Sequence, residues 1–127
     1  MNYDHFEKGE YQVDDRVIYF RSKWEANYAI YLEFLKKQGE IKGWRYEHAF
    51  FEFPVRHGTT RYLPDFEVDL NNGKMEIHEV KGFMDSRSKT KFKRMAKYYP
   101  DIPMKIINRD FFKAIKKSGQ DKLLKFY

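Results

Sequence analysis

The chain has 127 residues, no cysteine, a net charge of +6 and a pI near 9.4. That length suits one domain over residues 1–127 with a self-sufficient core. The missing thiols exclude disulfides and thiolate zinc sites and fit a reducing, cytoplasmic setting. No apolar run is long enough to span a bilayer, and Met1 to Glu10 is too polar for a signal peptide.

The elements follow in chain order. Residues 1 to about 20 are mixed, with Arg16 to Phe20 a short strand that leads into the first helix. That helix runs from Ser22, a good N-cap, to about Gln38, with Gly39 as its stop. Tyr28, Ala29, Leu32 and Leu35 form its apolar stripe. Trp44 to Phe53 is aromatic-rich and predicts one strand, Pro54 to Thr60 a turn, and residues 61–70 a second strand with Pro64 near its start. Asn71-Asn72-Gly73 is a hairpin signal, and residues 74–81 form a third strand ended by Gly82. Ser86 to Tyr99 is a basic helix stopped by Pro100, Met104 to Ile107 a short strand, and Arg109 to Lys117 a helix capped by Asn108. The order α-β-β-β-α-β-α makes the last two strands a parallel crossover pair and predicts an α/β fold, a mixed four-stranded sheet flanked by helices.

Two segments on adjacent strands carry chemistry: Leu63-Pro64-Asp65-Phe66 and His78-Glu79-Val80-Lys81-Gly82. The hairpin between them brings Asp65 near Glu79. Strand alternation puts Met75, Ile77, Glu79 and Lys81 on one face and Glu76, His78 and Val80 on the other. Paired carboxylates on a half-buried face repel each other, and a hard divalent cation relieves that repulsion. The Lys81 ammonium can offset them, orient a water or stabilise charge on a phosphate. For a short D…ExK pattern taken alone, a cross-strand salt bridge on an open sheet face is the better reading.

Glu25 falls in line with the apolar stripe of the first helix, so its carboxylate aims at the sheet. Two roles fit it: a member of the same metal site, or the return half of a Ser22-Lys23-Trp24-Glu25 capping box that reaches the Ser22 amide.

A helix glutamate, then P-D on one strand and E-x-K on the next, resembles the PD-(D/E)XK nuclease superfamily. The element order resembles that superfamily's restriction-endonuclease-like core over residues of about 21 to 108. Arg21-Ser22 with Glu25, Tyr62-Leu63-Pro64-Asp65-Phe66 and Glu79-Val80-Lys81-Gly82 look most like small phage-encoded proteins. These are similar to phage endonuclease I, a Holliday-junction resolvase, and to the endonuclease subunit of some transposons. The resemblance implies Asp65 and Glu79 as metal ligands with the Val80 carbonyl, Lys81 as catalytic lysine, and Glu25 as the carboxylate completing the site. It implies magnesium, which manganese can replace, and hydrolysis of DNA.

Basic excess independently favours a polyanionic partner, of which nucleic acid is the commonest. A membrane surface fits less well, because no long basic helix free of acidic residues occurs. Arg21 and the basic helix residues Arg87, Lys89 and Lys93 are candidate phosphate contacts, with Lys89 and Lys93 an i,i+4 pair and Phe92, Met95 and Ala96 turned inward. His78 reads as structural, His57 as exposed and His48 as a core histidine. Most of the 12 Phe and 10 Tyr read as core rather than as base-stacking platforms.

The leading expectation is a magnesium-dependent DNA endonuclease, on duplex or on branched phage DNA, where cutting a junction suits a homodimer. The rivals are the catalytic subunit of a sequence-guided nicking or restriction-type nuclease, a non-catalytic basic nucleic-acid-binding module, and a structural protein with charged strand faces.

Overall fold

The computed structural model describes residues 7–127, so residues 1–6 of the polar N-terminal stretch lie outside the described residues. A hairpin opens the fold, β1 (Gly9–Val13) with β2 (Arg16–Phe20). Helix α1 (Lys23–Lys37) follows. The Ser22 hydroxyl accepts from the Glu25 amide at 3.1 Å, satisfying one of the donors a helix start leaves open.

The central sheet has four strands in the order β3 (Gly43–Tyr46), β6 (Phe66–Asp69), β7 (Met75–Val80) and β8 (Met104–Ile107). The first two pairings are antiparallel and β7–β8 is parallel, which makes the sheet mixed as the sequence predicts. The Asn71–Gly73 turn joins β6 to β7, with Gly73 at φ +85°, a conformation open to glycine at little cost. Helix α2 (Ser86–Tyr98) links β7 to β8, and α3 (Arg109–Ser118) and the short α4 (Gln120–Leu123) end the fold. Among the described residues no helix is long and apolar enough to cross a membrane.

Two of the expected strands are broken. The expected strand from Trp44 to Phe53 ends at Tyr46, because Glu47 takes φ +45°, and pairing resumes only in β4 (Phe51–Glu52). The expected 61–70 strand splits into β5 (Arg61–Tyr62) and β6. Proline has no N–H for the ladder, and β6 is bonded on both sides, so Pro64 falls outside it. Strands β4 and β5 form a separate ribbon. The same break leaves His48 exposed, not in the core.

Strand alternation gives the sheet two packed faces. On one, α1 and α3 cover Phe66, Val68, Val80 and Ile107, with Trp44 and Leu32. On the other, Met95 of α2 packs on Ile77, Tyr62 and Phe53. His78 belongs to the first face and is buried there, with Nδ1 2.6 Å from the Tyr28 hydroxyl and Nε2 3.1 Å from Glu76.

Phe66 has no exposed surface, and its ring lies between 5.2 and 6.0 Å from those of Tyr46, Tyr28 and Trp44. Phe66→Ala should therefore destabilise the chain by about 3–5 kcal/mol through lost burial and an unfilled cavity. Urea unfolding reads this directly, and a loss below about 1 kcal/mol would mean that the site collapses to fill the space.

Candidate active site

Asp65 stands just before β6, opposite Glu79 on β7, and backbone amides lock the two carboxylates together. The Val80 amide donates to Asp65 Oδ2 at 2.9 Å, and the Asp65 amide donates to Glu79 Oε1 at 3.1 Å. The buried Tyr62 hydroxyl also donates to Glu79 Oε1, at 2.5 Å. Each carboxylate is thus held by one oxygen. Asp65 Oδ1 and Glu79 Oε2 take no hydrogen bond from a described residue.

A cavity of about 440 Å³ opens beside them. Glu25, Glu47, Asp65 and Glu79 line it, and so do Arg21, Arg61, Lys81 and Lys91. The four carboxylates face one another in a half-buried pit. Burial first, then the charges of Glu79 and Glu25, push the Asp65 carboxyl well above its ordinary range against the pull of the Val80 amide. Burial also raises Glu79, which the Tyr62 hydroxyl, the Asp65 amide and the charges of Lys81 and Lys91 pull back down.

Glu25 lines the same cavity, as its place on the helix stripe predicts, and its side chain also holds the Ser22 hydroxyl that caps the helix. One oxygen accepts from the Ser22 hydroxyl at 3.1 Å and the other from the Tyr46 hydroxyl. It does not close the expected capping box, because its acceptor contacts are hydroxyls and not the Ser22 amide. Both of its oxygens are engaged, so it acts on Asp65 chiefly through its charge.

Among the described residues no group of three or more His, Cys, Asp or Glu side chains is arranged to hold a metal ion. The oxygens open to one are the free pair on Asp65 and Glu79. A magnesium ion is commonly held by one or two carboxylates, with waters and substrate phosphates completing its shell, and this donor set fits that pattern. The mutual repulsion of the pair is what a cation would relieve.

Lys81 lies one residue past β7, and its amide donates to the Ile107 carbonyl at 2.9 Å. It shares the cavity wall with Glu79, as the alternation predicts, and also with Val80, which alternation places on the other face. The glycine after it permits close approach: a Cβ on Gly82 would sit 3.3 Å from the Trp24 ring.

The expected phosphate contacts are placed unevenly. Arg21 lines the cavity and pairs with Glu47 at 2.9 Å. Arg87 lines an adjoining basic hollow of about 500 Å³ with Arg61 and Lys91. Lys89 and Lys93 line neither cavity and are exposed on the outer flank of α2. The inward stripe of α2 is Ser88, Phe92, Met95 and Tyr99, at i, i+4, i+7 and i+11, while Ala96 is exposed. Lys91 borders that stripe on the side of the cavity, and its ammonium lies 5.9 Å from the Tyr62 ring centre.

Sequence reasoning missed Glu47, Arg61, Lys91 and the anchoring role of Tyr62. Tyr62 sits three residues before Asp65 within the quoted motif, so its link to Glu79 had a signal. Glu47 had none, since its position depends on a single left-handed backbone residue at the end of β3.

The fold and this pit define a mixed α/β protein with interlocked carboxylates and a lysine at one end of its sheet. The chain matches the DUF1064 family over residues 8–117 and belongs to it; the family is described as proteins of unknown function. No curated protein matches the chain.

Proposed function

We propose that this protein is a magnesium-dependent DNA endonuclease of the PD-(D/E)XK type. One observation carries the reading: Asp65 and Glu79 are interlocked through backbone amides, each with an unengaged oxygen, in a cavity that also holds Lys81 and Glu25. A surface salt bridge between strands would not bury two like charges side by side and leave one oxygen of each unpaired.

Asp65 and Glu79 would hold the ion. When bound, it supplies charge to polarise the scissile phosphate and to make a water a better nucleophile near neutral pH. Tyr62 fixes the rotamer of Glu79. Lys81 presents its ammonium beside the carboxylates, where it orients water or offsets charge growing on the phosphate. Arg21, Arg61 and Lys91 on the rim attract the DNA backbone without reading its sequence. Net charge of +6 supports a polyanionic substrate.

The test is cleavage of a four-way junction, a flap, a nicked duplex, a plain duplex and a single strand, with magnesium, manganese or chelator. Cutting that requires the metal supports the reading and names the preferred DNA form. Binding without cutting under every metal would favour the non-catalytic module, and neither binding nor cutting would remove DNA from consideration.

Tyr62→Phe should lower the cleavage rate about 10- to 100-fold, as loss of a partner that orients a metal ligand typically does. The fold should persist, because the ring keeps its packing on Phe92 and Met95. Single-turnover rates check this, and a rate within about twofold of the parent would show that the Asp65 amide alone orients Glu79.

A further inference from the structure

Besides the basic hollow beside α2, the carboxylate pit continues into two further cavities, each sharing walls with the one before. Beside it lies a space of about 570 Å³ bounded by Arg21, Glu25, Val80 and Lys81 on the pit side and by Trp24, Phe83 and Arg109 on the other. Phe83 is 78% exposed there. A third space of about 560 Å³ shares Trp24 and Arg109 and adds Lys23, Lys113 and Lys116.

Helix α3 makes that last wall. Arg109, Lys113 and Lys116 recur at i, i+4 and i+7, so they share one face, while Ile115 turns into the core. The row extends about 10 Å along the helix, enough for about three phosphates of one strand. None of the three cations has an ion pair among the described residues, and Asp121 is the one acidic side chain lining the space. The floor is aromatic, Trp24 stacked on Phe112 at 4.8 Å.

We propose that the DNA backbone continues from the pit across Phe83 and onto this face of α3, so that substrate is held on both layers of the sheet. This rests on the nuclease reading above and adds a second binding arm to it. The arms lie on opposite sides: Arg61, Arg87 and Lys91 beside α2, and Arg109, Lys113 and Lys116 on α3. A strand touching both must pass over the end of the sheet where Lys81 sits, a path that favours bent or branched DNA over a stiff straight duplex. An acidic protein segment could occupy the α3 wall alone, but the unbroken run of cavity into the pit favours the strand that is cut there.

The test uses the full chain with Asp65→Asn, so that binding is read without cutting. Fluorescence anisotropy follows a labelled four-way junction and a plain duplex across a salt titration. Arg109→Gln, Lys113→Gln and Lys116→Gln are made together. The comparison is Lys36→Gln, Lys42→Gln and Lys74→Gln, which remove the same charge at the hairpin end of the sheet. All six positions are exposed, and circular dichroism verifies folding. The α3 triple should weaken junction binding on the order of tenfold or more and flatten the plot of log affinity against log salt by about two to three. The comparison triple should move affinity by less than about threefold. Equal losses in both triples would reduce the effect to net charge and overturn the proposal. An unchanged α3 triple on a parent that binds would overturn it while the nuclease reading stands. A parent that binds no DNA at any salt would overturn both.

Discussion

Asp65→Asn should abolish the proposed metal-dependent DNA cleavage and should make the metal-free protein more stable. The catalytic loss should be on the order of a thousandfold or more, because a metal site contributes several kcal/mol of charge stabilisation and each 1.36 kcal/mol is tenfold in rate. The stability gain has a separate cause. Asp65 is a half-buried carboxylate beside Glu79 and Glu25, and its carboxyl is raised well above the ordinary range. A raised value means that the fold favours the protonated form. The associated stability is full at acid pH and is lost as pH rises through the raised value. Asparagine keeps an oxygen for the Val80 amide and carries no charge, so the variant should exceed the parent by about 1 kcal/mol near neutral pH. That margin closes as the solution is acidified toward the ordinary carboxylate range. If the pair holds magnesium as proposed, the ion should raise the parent's melting temperature and leave the variant's unchanged. Melting curves over pH with and without magnesium decide the matter; equal stabilities near neutral pH would show that the carboxylates do not strain the fold.

Lys81→Met should separate catalysis from binding. The methionine keeps most of the aliphatic length and removes the ammonium. If Lys81 stabilises charge that grows during the reaction, the single-turnover rate falls about 100- to 1000-fold. Affinity for DNA should move by no more than about threefold, since one phosphate contact among several is lost. A rate within about threefold of the parent would remove Lys81 from the chemistry and leave it as a neutraliser of Glu79.

The elements legible in the sequence are those whose signals are local. Ser22 and Asn108 cap the helices they announce, Gly73 turns the hairpin, and Met104–Ile107 is a strand with the expected ends. Asp65, Glu79 and Lys81 share a cavity because a hairpin and a two-residue alternation suffice to bring them there. What depended on longer-range geometry was not legible. The strand break at Glu47 hides in a run of good strand formers, and Pro64 marks a true boundary because β6 turns out to be central. The roll of α2 against the sheet decides that Lys91, and not Lys89 or Lys93, faces the pit. Phe92 and Met95 give that roll only coarsely, because Ser88 and Ala96 look alike until one is buried and the other is not.

The amide locks between Asp65, Glu79 and Val80 give the pit a built-in spectroscopic voice. The protons that hold the two carboxylates belong to the backbone amides of Asp65 and Val80, whose resonances are separately assignable. Any change in the charge of either carboxylate alters the hydrogen bond that its partner amide makes. Those two cross-peaks therefore report ligation or protonation in the pit with no probe attached, and their exchange with solvent reports how often the lock opens.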